Sequence, residues 1–67
     1  MKQRWWRGIV LKKARENRQW TQAELAKKVG VHEITISRLE RGERQPSMDL
    51  LHRLAKALRV KVGELLK

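Results

Sequence analysis

The chain has 67 residues, of which 17 are Lys or Arg and 7 are Asp or Glu; its formal net charge is +10, and it holds three Trp but no Cys, Phe or Tyr. That length makes one small domain, burying only about 60% of the surface its unfolded chain exposes, and without cysteine neither a disulfide framework nor a thiolate metal site can form, which suits a reducing, cytoplasmic setting. No apolar run approaches the roughly 18 residues of a membrane span and no signal-peptide core follows the first Lys, while so large a positive excess implies a polyanionic partner, either nucleic acid or an anionic membrane surface.

Punctuation is sparse. Gly30, Gly42 and Pro46, with the polar Asn17-Arg18-Gln19 before Trp20, divide the chain into segments suited to helices and tight turns. No window alternates apolar and polar residues over the length of a strand, so the expected class is all-α, with short helices in series. The first is expected from about Gln3 to Arg18: Trp6, Val10, Leu11 and Ala14 share one side, with Lys12, Lys13 and Glu16 elsewhere. Gly8 counts against its first turn, at a cost of about 1 kcal/mol relative to Ala.

The second helix, expected at about 22–29, has the clearest start. Thr21 and Glu24 have the spacing of a capping box, Trp20 and Leu25 that of a hydrophobic staple, and Leu25, Ala26 and Val29 form the buried stripe. Gly30 supplies the positive φ for the turn that follows. The third helix, expected at about 32–41, turns Ile36 and Leu39 inward with Val31 and ends at Gly42. Ser47 caps a fourth helix after Pro46, with Asp49 in its first turn and Leu50, Leu51, Leu54, Ala55 and Leu58 as its stripe. A short fifth helix near Val62 to Lys67 packs Val62, Leu65 and Leu66.

Two short helices joined by a glycine turn between Gln22 and Arg41 make a helix-turn-helix, whose second helix faces the DNA major groove. Ala26 must be small where the helices cross, and a β-carbon at Gly30 is expected to spoil the crossing angle. The run "TQAELAKKVGVHEITISRLERGERQPS", followed by "LLHRLAKALRV", resembles the Cro and phage-repressor (XRE-type) helix-turn-helix family over roughly residues 7–67. Thr21-Gln22, Glu24-Leu25-Ala26, Gly30-Val31, Ile36-Ser37, Leu39-Glu40, Gly42 and Pro46-Ser47 all fall in register.

The resemblance implies a compact five-helix, lambda-repressor-like domain spanning the chain, and a transcriptional regulator without catalytic residues. It makes Gln22 a phosphate contact at the start of the second helix and puts Glu33, Ile34, Thr35 and Arg38 in base-reading or groove-facing places. It also suggests that Arg15 of the first helix pairs with Glu40 at the end of the third. Three departures stand out. Arg59 takes the place where Gly or Asn often closes the fourth helix, so a non-glycine residue is expected in the left-handed region. Lys61 replaces the usual cap of the fifth, and "MKQRWW" extends the front as a partner surface.

With Ile36 and Leu39 inward, Glu33, Ile34, Ser37 and Arg38 point away from the core and are the candidate base contacts. Ile34 can meet a thymine methyl, Glu33 can accept from a cytosine amino group, and Arg38 can reach guanine O6 and N7 together. An acid on a face that only bound phosphate would repel the backbone, so this mixture implies sequence readout. Gln22, His32, Thr35, Arg41, Arg44 and Gln45 are the candidate phosphate contacts, which fix register. Plainer readings stand beside these: Glu33 as a carboxylate favoured by a helix N-terminus, Ile34 as an ordinary surface apolar residue, Arg38 as a solvated charge.

No spacing suggests a nucleophile with its base or a carboxylate pair, so neither an enzyme, a small-molecule substrate nor a cofactor is expected. His32-Glu33 lacks both the H-E-x-x-H pattern and a third ligand, so no metal is expected either. One half-site of about four base pairs discriminates poorly, which favours a homodimer on double-stranded DNA; the same tidy caps would equally suit a designed, monomeric binder. Two readings from other classes remain open: an antitoxin-like protein-interaction module using Trp5 and Ile9, and attachment to an anionic membrane surface through "MKQRWWR".

Overall fold

The computed structural model describes residues 5–67, in which α1 (Gly8–Asn17), α2 (Gln22–Val29), α3 (Glu33–Glu40), α4 (Met48–Leu58) and α5 (Val62–Leu65) follow one another with no strand among the described residues. The expected helix start at Gln3 and the "MKQR" part of the Trp/Arg-rich run lie outside the described residues.

The local signals act as their chemistry requires. Glu24 N–H donates to the Thr21 hydroxyl at 3.0 Å while Thr21 N–H donates to the Glu24 carboxylate at 2.7 Å, closing the capping box of α2. Gly30 (φ 76°) turns the chain, and the amides of Gly30 and Val31 both return to the Ala26 carbonyl at 2.9 and 3.0 Å. Ser47 accepts from the Leu50 amide at 3.1 Å at the start of α4. Arg59 (φ 59°) closes α4 in the left-handed region, with Val60 N–H returning to the Ala55 carbonyl at 3.0 Å. Lys61 stands at the N-cap of α5 without a side-chain cap bond. α5 ends at Leu65, short of the expected Lys67; Leu65 is nonetheless buried and Leu66 half-buried against the core.

The core joins one face of every helix: Leu11 of α1, Leu25 of α2, Ile36 and Leu39 of α3, Leu51, Leu54 and Leu58 of α4 and Leu65 of α5 are fully buried. Ala26 is buried too, and Trp20 is half-buried against this cluster.

Two expectations about glycine are reversed. The first helix begins at Gly8, so Trp5, Trp6 and Arg7 precede it instead of forming its first turn. Trp6 is turned into the core, where its indole N–H donates to the Leu39 carbonyl at 2.9 Å. Gly8 follows because a β-carbon there would stand 2.2 Å from the Glu40 carbonyl oxygen and 2.3 Å from that of Leu39. The absence of a side chain at Gly8, a cost to helix propensity, is what lets α1 start against the end of α3. At Gly30, by contrast, a β-carbon would meet nothing nearer than the Arg53 guanidinium at 3.6 Å. That glycine is required for its backbone angle and not for the closeness of the crossing. The end of α1 also uses a residue its sequence does not flag, since Gln19 takes φ 61° as its amide returns to Glu16 at 2.9 Å.

Several of the cations close helices. Arg18 donates through Nε and Nη2 to the Leu58 carbonyl at the end of α4 (3.2 and 2.9 Å), and Arg53 Nη1 donates to the Val29 carbonyl at the end of α2 (2.7 Å). Arg7 reaches the Lys67 carbonyl at 2.8 Å. Arg18 and Arg53 satisfy carbonyls a helix end leaves open and sit favourably at its negative pole. Part of the positive excess is therefore structural.

Candidate nucleic-acid interface

α3 is amphipathic about a narrow buried edge. Ile36 and Leu39 are fully buried, and His32, Glu33, Ile34 and Arg38 are exposed, with Thr35 and Ser37 half-buried between them. Ile34 keeps 55% of its surface in water, a large apolar exposure beside an acid. Ile34 and Arg38, one turn apart, lie on the same stripe of the helix. His32 holds the N-cap position in extended backbone, with no side-chain cap bond.

The far end of α3 is tied down by a charged network. Arg15 Nε donates to Glu40 Oε2 at 2.7 Å and Arg15 Nη2 to Oε1 at 3.1 Å, a bidentate pair whose members are each only 8% exposed. Arg15 Nη1 donates in turn to the Trp20 carbonyl at 2.7 Å. The Glu40 hydrogen bonds raise the Arg15 guanidinium above its ordinary value, against the burial that lowers it. Gln22, at the first position of α2, joins by donating Nε2 to Glu40 Oε1 at 2.9 Å. Nothing in the linear spacing of Gln22 and Glu40 signals this bond. It makes Gln22, a candidate phosphate contact, half-buried and already oriented. One carboxylate thereby clamps α1, α2 and α3 together and sets the angle at which α3 is presented.

Beyond α3 the chain exposes Arg41, Glu43, Arg44 and Gln45. Arg41 lies across Glu43, Nε to Oε2 at 2.8 Å and Nη2 to Oε1 at 3.2 Å, while its Nη1 donates to the Ser37 hydroxyl. These bonds raise the Arg41 guanidinium above its ordinary value and hold the Glu43 carboxyl below its usual range, with the charge of Arg38 adding to the latter. Ser37 and Arg41, candidates for different partners, thus form one unit along the helix. Arg44 and Gln45 make no side-chain hydrogen bond among the described residues and remain open to solvent. Between residues 32 and 45 the exposed and half-buried side chains include an acid, an apolar residue, hydroxyls and cations, a mixture with the chemistry to read base edges and to hold phosphates.

Comparisons with known proteins bear on the family and the fold. A family model described as helix-turn-helix matches residues 11–65. An uncharacterized HTH-type transcriptional regulator of Methanothermobacter thermautotrophicus is 45% identical over 49 residues, covering 73% of this chain and 71% of that one. One from Mycobacterium tuberculosis is 42% identical over 53 residues, 79% of this chain, but the chain spans only 38% of that regulator's length. Among solved structures, the P22 c2 repressor in complex with a synthetic operator superposes with a TM-score of 0.86 at 38% identity, covering 90% of this chain and 91% of that one.

Proposed function

Since the chain belongs to the helix-turn-helix family, we propose that it is the sequence-specific DNA-binding domain of a transcriptional regulator, acting in the cytoplasm on the nucleoid. The observation that carries this reading is the outward side of α3, where Glu33, Ile34 and Arg38 are exposed while Ile36 and Leu39 anchor the helix. Ile34 meets a thymine methyl, Glu33 accepts from a cytosine amino group, and Arg38 makes the paired contact with guanine. Gln22 at the head of α2, with His32, Thr35, Arg41, Arg44 and Gln45, holds the phosphates. The operator complex of the P22 c2 repressor, a relative of the same shape, supports double-stranded DNA as the partner. The chain acts by binding and not by catalysis. One recognition helix reads few base pairs, so useful discrimination comes from pairing two copies on neighbouring half-sites.

A binding-site selection on randomised duplex tests the reading: a single enriched motif is expected, and recovery of unenriched sequence would overturn it. On the motif so found, Arg38→Ala is expected to cost about 1–3 kcal/mol and to relax preference at one G·C pair. Equal losses on preferred and scrambled duplex would make Arg38 a phosphate contact instead. Arg44→Ala is expected to weaken every duplex alike and to lower the slope of log K against log salt by about 0.9. An unchanged slope would move that phosphate contact elsewhere.

A protein-interaction module in the manner of an antitoxin is the second reading, and it has one observation in its favour. Trp5 and Ile9 keep 37% and 46% of their surface exposed beside the start of α1. It predicts no enriched motif in the same selection.

A further inference from the structure

Away from the recognition side, the surface carries a second concentration of positive charge. Three adjoining depressions of about 320, 540 and 410 Å³ run from α1 past the α1–α2 turn to α4. They are continuous: the first and second share Arg18 and Arg59, and the second and third share Lys28, Lys56 and Ala57. Lys13 extends the band at one end. None of the candidate base or phosphate contacts lines any of the three.

Among the described residues, no carboxylate comes within ion-pair distance of Lys13, Arg18, Lys28, Lys56 or Arg59. Glu64 is the one acid lining the band, at its first depression, and Arg53, at the other end, is already paired with Asp49 at 3.2 Å. Uncompensated like charges gathered along a concave surface repel one another and focus a strong positive potential outward. An anion with charges spaced along its length relieves that repulsion.

We infer that this band holds the sugar-phosphate backbone of a second DNA segment, distinct from the one α3 reads, so that one copy of the chain bridges two duplexes. The inference rests on the DNA-binding reading above. Three features favour phosphate backbone over an acidic peptide. The band runs through three depressions, which fits an extended polyanion. Its lysines, Lys13, Lys28 and Lys56, are flexible point charges that suit phosphates without demanding a fixed geometry, while Arg18 is held on the Leu58 carbonyl. It also lacks what a peptide needs. The Trp20 ring is covered by the Lys28 ammonium at 4.5 Å and flanked by the Arg18 guanidinium at 5.9 Å, so its face is not free to take an apolar anchor. No strand edge exists among the described residues to add a peptide strand.

The test uses Lys28→Gln/Lys56→Gln, both exposed lysines of the band, against Lys12→Gln/Lys61→Gln, which removes equal charge from exposed positions outside it. Bridging is read as energy transfer between two differently labelled duplexes at low salt. Wild type and the Lys12/Lys61 variant are expected to bridge, and the Lys28/Lys56 variant to lose bridging while its one-to-one affinity for the selected duplex changes less than about threefold. In a background of Arg38→Ala/Arg41→Ala/Arg44→Ala, the residual duplex affinity is expected to fall on the order of tenfold on adding Lys28→Gln/Lys56→Gln. Its salt slope should fall by roughly two, near 0.9 for each phosphate no longer neutralised. Equal losses for the Lys12/Lys61 variant would reduce the effect to net charge and overturn the inference, as would absence of bridging by a wild type that binds one duplex tightly. Displacement of the residual duplex by an acidic peptide at far lower concentration than by unlabelled duplex would assign the band to a protein partner instead. If the selection finds no motif yet the residual binding still depends on Lys28 and Lys56, the reading of α3 fails and the band stands as a phosphate-binding surface.

Discussion

Glu40→Gln is expected to lower the stability of this domain by about 3 kcal/mol, at the low end of the range for breaking a buried ion pair. The reason lies in how the carboxylate is used. Its Oε2 accepts from Arg15 Nε, and its Oε1 accepts from both Arg15 Nη2 and Gln22 Nε2. A glutamine has one acceptor oxygen, so whichever way its amide is turned, an NH2 faces a donor. Arg15 cannot escape by losing its proton. The rise in its value comes from Glu40 and is lost with that carboxylate, but a guanidinium stays charged at every working pH even where burial lowers it, so the cation is left stranded. In a domain whose total stability is about 5 kcal/mol or slightly more, that is a large share. The melting temperature should drop on the order of 15 °C, taking about 4–8 °C for each kcal/mol in a chain of this size. Glu43→Gln removes an equal charge from a solvent-exposed pair and should leave stability unchanged within the error of the measurement. A drop for Glu40→Gln no larger than for Glu43→Gln, by calorimetry or denaturant titration, would mean that water reaches the pair and that it does not hold α3.

Gly8→Ala is expected to destabilise by about 3 kcal/mol, the upper end of what overpacking ordinarily costs. The sign makes this informative. By helix propensity alone, alanine for glycine in α1 should stabilise by about 1 kcal/mol. Here the new methyl would sit 2.2 Å from one backbone oxygen of α3 and 2.3 Å from another. Backbone carbonyls cannot rotate aside, so α1 must lift from the end of α3. The Trp6 bond to the Leu39 carbonyl and the Arg15–Glu40 pair both span that junction and should weaken with it. Gly63→Ala is the control, because its β-carbon would meet nothing within 4 Å and its backbone is already helical. A stabilised Gly8→Ala by equilibrium unfolding would mean that the two helix ends stand further apart in solution. Loss of DNA affinity in a still-folded Gly8→Ala would show the same junction setting the pose of α3.

How much could be read ahead of the structure differs by element. The start of α2, the turn at Gly30, the cap at Ser47 and the left-handed Arg59 were all legible, because each is a bond or a backbone angle within a few residues of its signal. The inward side of α3 was legible too, since Ile36 and Leu39 three apart leave one face of a 3.6-residue helix for the core. From that followed which residues of α3 point outward. What they do once outward was only partly legible. Ser37 and Arg41 bind each other, and Glu43 holds the guanidinium, through side-chain conformations that periodicity does not specify.

Capping, glycine angles and hydrophobic period act between neighbours along the chain, so the helical class, the helix-turn-helix and the exposed chemistry of α3 are written in the order of the residues. The packing of the helices sets where α1 begins, gives Gly8 a close contact and Gly30 a backbone angle to satisfy, and brings Gln22 into the Arg15–Glu40 clamp. It also separated cations that close helix ends, such as Arg18 on Leu58 and Arg53 on Val29, from those left along the surface. Each of these is a meeting of one helix end with a residue far away in sequence, Trp6 with Leu39 or Arg15 with Glu40. Such meetings depend on how whole helices are packed by their buried leucines, and a chain of local preferences carries no record of that distance until the core has formed.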